Sequence, residues 1–286
     1  MKNYTIAIFL AAYLLFIAAH AGLSGTPAAQ GISSAAEPES PEPVYQLEPV
    51  SVTQSVRSED KRARELANCG YQLLMLTVLN PEDLSPADLE AANRNLEAFN
   101  DRMTGLMEEL EAHGLTVGSD AKGAYRGGFL TEAYYDEVAA SGTIMGGVIS
   151  VRIDRSSYTG GAHPNSYASS LLFDLTAGQF ILDPSQLADD PSAFRTGAAE
   201  KLVEKAEAIR SNRDVYWQDY AEIISRWNEG TVLFDEESML AVYSTYELGP
   251  YAMGAVELRL SWDELAELMG PAALTRLGVE LPEAAE

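Results

Sequence analysis

Two strand-like runs that flank a glycine-rich segment constrain the fold of this chain more than any other feature. Apolar and polar residues alternate over residues 148–154, as on a strand with one buried face. Residues 169–175 form the returning run, and the segment between the runs contains the adjacent Gly160 and Gly161. Glycine reaches backbone angles that are closed to other residues, which suits a tight loop. We therefore predict an antiparallel hairpin whose loop spans residues 158–165.

The remaining pattern predicts an α+β fold, in which helices pack against antiparallel sheet hairpins. Ser85 and Pro86 are suited to begin a helix, because serine caps the first turn and proline fits the first helical position. Apolar residues then recur with helical periodicity, and Gly114 is predicted to end this helix. Further helices are predicted over residues 190–211, 214–229 and 261–269, and further strands over residues 49–57, 71–79, 134–140, 239–246 and 255–260.

The N-terminal region carries the features of an export signal followed by a tether. A positive start, an apolar run and an Ala-x-Ala site predict that residues 1–21 are a secretory signal peptide, cleaved between Ala21 and Gly22. The alternative is an uncleaved membrane anchor over residues 4–21, a length at the short end for a span. Residues 22–48 are rich in proline and glutamate and are predicted to be a disordered linker. In either case we expect the folded part outside the cytoplasm, secreted or associated with the cell envelope.

The formal net charge of −24 narrows the class of partner. Binding to nucleic acid needs clustered Lys and Arg, which this sequence does not have, so nucleic acid is not expected as a partner. A basic protein is expected instead, because an acidic field steers and speeds such encounters. The alternative is that the charge only keeps an exported protein soluble.

Two blocks of this sequence resemble a known family. They read YTGGAHPN at residues 158–165 and YELGPYAMG at residues 246–254. Both are similar to the signature of the extracytoplasmic domain shared by the anti-sigma factor RsiV and the deacetylase PdaC, and the match is best over residues 142–269. The resemblance implies a domain of the bacterial envelope, found in lysozyme-sensing and cell-wall-modifying proteins. In RsiV-like proteins this region binds lysozyme, which is a small and strongly basic protein.

The sequence departs from the better-known members of that family at both ends. At most five residues precede the apolar run that begins at Ile6, so we expect no sigma-factor-binding part. The sequence ends at Glu286 without the separate catalytic domain of the deacetylase, so we expect no deacetylase part. We divide the folded chain into an N-terminal α+β module with a weak match, residues 49–140, and an RsiV/PdaC-type C-terminal domain, residues 141–286.

The loop residues of the two blocks are the candidate contacts for a partner or ligand. Glycine and proline shape such loops, whereas tyrosines on rigid turns suit the recognition of a protein or a glycan. The candidate residues are Tyr158, Gly160, Gly161, His163, Asn165, Tyr246, Pro250 and Tyr251. If both loops lie at the same end of the sheet, they form one surface. The alternative is that the tyrosines pack beneath the loops and serve only the fold.

His163 is the histidine with the most constrained setting, and three roles are open to it. It can hold the loop by hydrogen bonds, contact a partner or ligand, or act as a general base. No second His or Cys lies at ligand spacing, so we predict no metal site and no cofactor. We name no catalytic residue, because the common hydrolase, metalloprotease and phosphate-binding motifs are absent from the sequence. His113 is predicted at a helix end, and the single cysteine, Cys69, as a small buried hydrophobic residue.

Together these features predict an envelope protein whose α+β domain binds a partner, either a lysozyme-like basic protein or a cell-wall fragment. A second hypothesis is an enzyme that acts on peptidoglycan or another envelope polymer through His163 and a nearby carboxylate. A third is a structural accessory domain whose loops serve only the fold. We expect binding rather than catalysis, and a membrane contact only through an uncleaved N-terminal segment.

Overall fold

A computed structural model of the protein describes residues 41–60, 63–209 and 216–280. Over these ranges the fold is α+β, as predicted, with five α-helices and two sheets. The predicted signal peptide and the predicted linker up to residue 40 lie outside the described residues. None of the helices within those ranges is both long and apolar enough to cross a membrane.

The larger sheet contains six strands that lie side by side in chain order. They are β1 (Tyr45–Arg57), β2 (Glu65–Val78), β3 (Tyr134–Met145), β4 (Val148–Tyr158), β5 (Asn165–Asp174) and β6 (Gln179–Ile181). The β4–β5 pair is antiparallel, which confirms the predicted hairpin. By contrast, β2 and β3 run parallel, which the sequence did not indicate. The predicted boundary between residues 140 and 141 falls inside β3, and the division into two modules stays a prediction.

Helix α1, Pro86–Arg126, supplies the crossover that a parallel pair of strands requires. It begins where predicted, since the Ser85 hydroxyl accepts a hydrogen bond from the Asp88 amide at 3.2 Å. The predicted end at Gly114 is wrong, because the helix continues for three further turns to Arg126. His113, which the sequence placed at a helix end, therefore lies within the helix.

Gly114 serves close packing rather than helix termination. The residue is buried, and a Cβ atom built on it would lie 2.7 Å from both the Tyr71 hydroxyl and the Gln54 side-chain oxygen. A carbon atom cannot approach other atoms so closely without displacing them. The glycine therefore lets α1 lie directly against β1 and β2, which carry these two side chains.

The smaller sheet is antiparallel and is covered by the remaining helices. Its strands are β7 (Thr231–Asp235), β8 (Ser238–Tyr243) and β9 (Val256–Ser261). The helices are α2 (Pro191–Ile209), α3 (Tyr220–Ser225), α4 (Trp262–Met269) and α5 (Pro271–Arg276). The sequence did not predict β7. The helix predicted over residues 214–229 is much shorter in the described part of that range, residues 216–229, where only α3 and a single 3-10 turn form.

These elements stack as layers, in the order α1, larger sheet, smaller sheet and remaining helices. On one face of β4, Ile149 and Val151 pack with Phe99 of α1. On its other face, the Ser150 hydroxyl accepts a hydrogen bond from the Phe234 amide of β7 at 2.9 Å. Apolar residues of α2 and α4 pack against the far side of the smaller sheet. Because the two sheets face each other, the β4–β5 loop lies close to the turn that follows β8.

Candidate functional site

The β4–β5 loop and the turn after β8 meet through the His163 side chain. Its Nε2 atom lies 3.0 Å from the Tyr246 hydroxyl oxygen. Its ring stacks on Tyr251, with the ring centroids 3.8 Å apart, and the two tyrosine rings lie 5.7 Å from each other. The two sequence blocks therefore form one surface, which confirms the hypothesis that the loops share an end of the fold.

Both ring nitrogens of His163 have hydrogen-bond partners. Nδ1 lies 2.9 Å from the Pro164 carbonyl oxygen, which can only accept, so Nδ1 is the donor in this contact. In the neutral imidazole Nε2 is then the acceptor for the Tyr246 hydroxyl. Binding a metal or taking a proton from a substrate would break one of these contacts. Over the described ranges, no group of His, Cys, Asp and Glu side chains is arranged to hold a metal ion.

The glycines of the β4–β5 loop have the backbone conformation that the sequence predicted. Gly160 and Gly161 have φ angles of 92° and 122°, which L side chains rarely adopt. The Tyr158 hydroxyl donates a hydrogen bond to the Gly161 carbonyl oxygen at 3.2 Å. The Tyr158 ring packs edge-on against Tyr134, with centroids 6.3 Å apart. Tyr158 therefore fixes the base of the loop, while His163 lies at its far side.

The turn after β8 holds Tyr246 in an unusual backbone conformation. Its φ is 74°, in the left-handed region that favours glycine, and this conformation costs about 1–2 kcal/mol for other residues. The strand predicted over residues 239–246 is present, but its predicted end at Tyr246 is wrong, since β8 ends at Tyr243. The Glu247 amide donates to the Ser244 carbonyl at 3.0 Å, and the Ser244 amide donates to the Glu247 carboxylate. These hydrogen bonds hold the turn and leave Tyr246 50% exposed.

Trp217 extends the same surface, although the sequence analysis did not select it. Its indole Nε1 donates to the Tyr246 carbonyl at 3.1 Å, and its amide donates to the Leu248 carbonyl at 2.8 Å. The residue is 41% exposed, and a tryptophan within a polar segment was the signal that could have identified it. We call His163, Trp217, Tyr246 and Tyr251 the aromatic loop cluster.

The other two candidate residues lie at the edges of these loops. Pro250 precedes the 3-10 turn Tyr251–Met253, and its carbonyl accepts from the Met253 amide at 2.9 Å. It therefore positions the Tyr251 ring. Asn165 is exposed at the start of β5, and no hydrogen bond among the described residues joins its side chain to the aromatic loop cluster.

A second group of ionisable side chains lies buried between the larger sheet and α1. Asp136 of β3 is 0% exposed and accepts from the Arg155 guanidinium at 2.6 and 2.8 Å. It also accepts from the Tyr71 hydroxyl at 3.0 Å, and His113 Nε2 lies 3.8 Å from the same carboxylate. We call these four residues the Asp136 network. Cys69, which interacts with Tyr71 and Asp136, is buried as predicted, at 2% exposure.

Burial controls the protonation states in and around the Asp136 network. It raises the pKa of Tyr71 and of Cys69, so both groups keep their protons. Burial first, and then the positive charge of Arg155, lower the pKa of His113 and favour its neutral form. A protonated thiol is a poor nucleophile, and Asp136 is fully engaged by its partners. The Asp136–Arg155 ion pair and the Tyr71 hydroxyl therefore hold one another in place, while the His113 side chain beside them is 30% exposed.

Comparisons with known proteins give a family domain and a fold. The model of the DUF3298 family, described as a protein of unknown function, matches residues 194–263. The chain is similar in structure to a member of that family from Bacteroides fragilis, with 14% identity over 82% of this chain and 98% of that chain and a TM-score of 0.58. A DUF3298 family protein from Pseudomonas aeruginosa shows 15% identity over 80% and 96% of the chains and a TM-score of 0.49. No curated protein matches the sequence.

Proposed function

We propose that this protein is an extracytoplasmic binding protein whose aromatic loop cluster contacts a basic protein of the lysozyme type. The observation that carries the proposal is the contact of His163 with both Tyr246 and Tyr251, which joins the two sequence blocks in one exposed surface. Those are the blocks that resemble RsiV/PdaC-type proteins. Aromatic side chains on such a surface are the residue types that dominate binding energy at protein interfaces.

The charge of the protein supports a basic partner. The net charge is −24, so the field around the domain attracts a positively charged protein and raises the rate of encounter. Glu247 follows Tyr246 directly and Asp219 lies two residues after Trp217, so the segments that carry these two rings are acidic in sequence. Salt screens such attraction, so the proposed complex weakens as ionic strength rises.

The strained turn supports a functional role for these loops over a purely structural one. Tyr246 keeps a φ of 74°, where glycine would be favoured, and its ring is half exposed. Strain of this kind clusters at binding sites, where the surrounding structure holds it. The engagement of both His163 nitrogens also favours binding over catalysis by His163.

A cell-wall fragment is the second candidate ligand. The observation that favours it is the arrangement of rings in the aromatic loop cluster, since sugar rings pack against aromatic faces by their apolar side. Such a ligand is largely uncharged over its sugar backbone, so its binding should depend little on salt. This difference in salt dependence separates the two candidates.

The test is calorimetric titration of the purified protein with lysozyme, at low and at high salt. We expect binding at low salt, and a loss of at least tenfold in affinity for Trp217→Ala and for Tyr251→Ala, equivalent to about 1.4 kcal/mol. The matched control is Phe129→Ala, which removes an aromatic side chain that is 81% exposed in a different loop. This control should leave the affinity unchanged.

Two outcomes would overturn the proposal. The first is that the wild-type protein does not bind lysozyme at low salt. If muropeptides then bind with an affinity that Trp217→Ala reduces, the wall fragment replaces lysozyme as the ligand. The second is that Phe129→Ala weakens lysozyme binding as much as the cluster variants do, which would indicate nonspecific attraction.

A further inference from the structure

A cavity lies next to the aromatic loop cluster, between helix α3 and the side of β7 and β8 that faces the helices. Its volume is about 140 Å³, well above the roughly 30 Å³ that one molecule occupies in liquid water. Apolar side chains, including Ile223 and Trp227, form much of its wall. Tyr243 at the end of β8 and Glu247 in the following turn add polar groups. Since Glu247 follows Tyr246 directly, one turn carries part of the cluster and part of the cavity.

The Tyr243 hydroxyl is buried and has no hydrogen-bond partner within the described part of the chain. The residue as a whole is 6% exposed. An unpaired buried polar group costs about 1–3 kcal/mol, and phenylalanine would avoid that cost. Burial, and after it the negative charge of Glu247, raise the pKa of Tyr243, so the phenol keeps its proton. A buried hydroxyl without a partner in the wall of a cavity points to a ligand that supplies one.

The Glu247 carboxylate also has an unused hydrogen-bonding position. Its Oε2 atom accepts from the Ser244 amide, whereas Oε1 has no partner among residues 41–60, 63–209 and 216–280. No salt bridge over those ranges involves Glu247. Burial raises the pKa of this carboxyl group, and the bond from Ser244 opposes that shift. The group is therefore a partly desolvated carboxylate with room for a cationic partner.

The charges around the cavity favour a cation over an anion. Two carboxylates, Glu229 and Glu247, line it together with one guanidinium, Arg226. The Arg226 side chain is 58% exposed and lies 3.9 Å from Glu222, so it points its charge towards solvent and another partner. The negative charge of Glu247, by contrast, is close enough to Tyr243 to raise the pKa of its hydroxyl.

We propose that this cavity binds an alkylammonium group, supplied by a lysine side chain of the basic partner. The ammonium donates hydrogen bonds to Oε1 of Glu247 and to the Tyr243 hydroxyl oxygen, and its aliphatic stem lies against Ile223 and Trp227. The cavity would thus anchor one charged side chain while the aromatic loop cluster contacts the surrounding surface. The identity of the partner rests on the proposed function, whereas the ligand class rests on the cavity itself.

The test uses three small probes of equal length, namely n-butylammonium, n-butanol and butyrate. Each is titrated into the purified protein, and the methyl resonances of Ile223 and Ala241, which line the cavity, are followed by NMR. We expect butylammonium to bind most tightly and butyrate most weakly. Glu247→Gln should weaken butylammonium binding by about tenfold, or roughly 1.4 kcal/mol. Glutamine keeps an oxygen that accepts from the Ser244 amide, so the turn is retained.

Two further variants separate a ligand site from a structural role. Tyr243→Phe removes the unpaired hydroxyl, and it should weaken butylammonium binding several-fold without lowering the melting temperature. Arg226→Gln removes the opposing cation, and it should strengthen butylammonium binding. Stronger binding of butyrate than of butylammonium, or equal binding of butanol and butylammonium, would overturn the assignment. So would a Glu247→Gln variant that remains folded and binds butylammonium as the wild type does.

The probes also separate this inference from the proposed function. If butylammonium binds but lysozyme does not, the cavity assignment stands and the proposed partner is wrong. Suppose that lysozyme binds and that Trp217→Ala lowers its affinity, while Glu247→Gln leaves the affinities for lysozyme and for butylammonium unchanged. Then only the cavity assignment is wrong. Lysozyme with acetylated lysines distinguishes the source of the ammonium group. An unchanged affinity for the acetylated protein would show that the partner's lysines do not enter the cavity.

Discussion

The Asp136 network and the aromatic loop cluster are both built from polar and aromatic side chains, but burial gives them different properties. Asp136 is fully buried and receives hydrogen bonds from Arg155 and Tyr71, so every charge is matched inside the protein. Tyr246 and Trp217 are about half exposed, and hydrogen bonds from Trp217 to the Tyr246 and Leu248 carbonyls hold their two segments together. The Asp136 network therefore joins α1 to the larger sheet inside the protein. The aromatic loop cluster is also held in place, but its Tyr246 and Trp217 rings remain exposed to solvent.

The two histidines in the described part of the chain repeat this contrast. His113 lies within α1 beside a buried ion pair, although its sequence context gave it no distinction. His163 lies in the most recognisable motif of the chain, yet both of its nitrogens are used to hold loops together. A recognisable motif therefore identified the place where the two loops meet.

The largest expected effect comes from breaking the buried ion pair. Asp136→Asn removes the charge that matches Arg155, and leaving a buried charge uncompensated costs about 3–5 kcal/mol. The matched control is Asp154→Asn, whose carboxylate pairs with Arg152 and is 50% exposed, so the expected loss is less than about 1 kcal/mol. Urea unfolding of both variants measures the difference. Equal losses would mean that burial does not separate the two kinds of pair.

A smaller loss of stability is expected when a substitution adds a methyl group between α1 and the larger sheet. In Gly114→Ala the new Cβ lies 2.7 Å from the Tyr71 hydroxyl, so the Asp136 network must shift, at a cost of about 1–3 kcal/mol. Gly105→Ala on the same helix meets no atom within 4 Å and should instead stabilise the protein by about 0.5–1 kcal/mol. Thermal unfolding followed by circular dichroism checks both signs. A gain from Gly114→Ala would contradict the packing role assigned to this glycine.

Within the aromatic loop cluster, two substitutions of Tyr246 are expected to differ by about 1 kcal/mol in free energy of unfolding. Tyr246→Gly and Tyr246→Ala remove the same ring, but only glycine relieves the strain of a φ of 74°. Tyr246→Gly should therefore be the more stable variant by about 1 kcal/mol, while both lose affinity for lysozyme. If the alanine variant is as stable as the glycine variant, the turn relaxes once the ring is gone.

The smallest effect is expected from the titration of His113. Burial and Arg155 lower the pKa of His113 in the folded protein, so the folded state resists protonation more than the unfolded state does. Stability is therefore complete above the ordinary histidine pKa and falls as the pH drops through the folded-state pKa. His113→Gln should reduce the fall in unfolding free energy between pH 7 and pH 5. Identical pH dependence in both proteins would show that His113 titrates equally in the folded and unfolded states.

Local patterns in the sequence predicted several elements and their loop chemistry. Alternation over β4 and the Gly160–Gly161 pair predicted the hairpin and its positive φ angles, because strand periodicity and steric freedom are properties of neighbouring residues. The start of α1 at Pro86 followed in the same way from its capping residues. The candidate loops were also selected from the sequence, including His163 and the two tyrosines, Tyr246 and Tyr251, whose rings meet it.

Contacts between residues far apart in the chain were decided only by the tertiary structure. Gly114 resembles a helix terminator, and only the approach of Tyr71 shows that it is there for packing. Asp136 meets Arg155 because β3 and β4 are neighbours, and Trp217 joins Tyr246 because the segment before α3 hydrogen-bonds to the turn after β8. The sequence by itself determined the α+β class and the loops that meet at the proposed surface. The tertiary structure decided which polar groups are buried and matched. It also left the Tyr243 hydroxyl without a partner and one oxygen of the Glu247 carboxylate open, because burial depends on the packing of every layer at once.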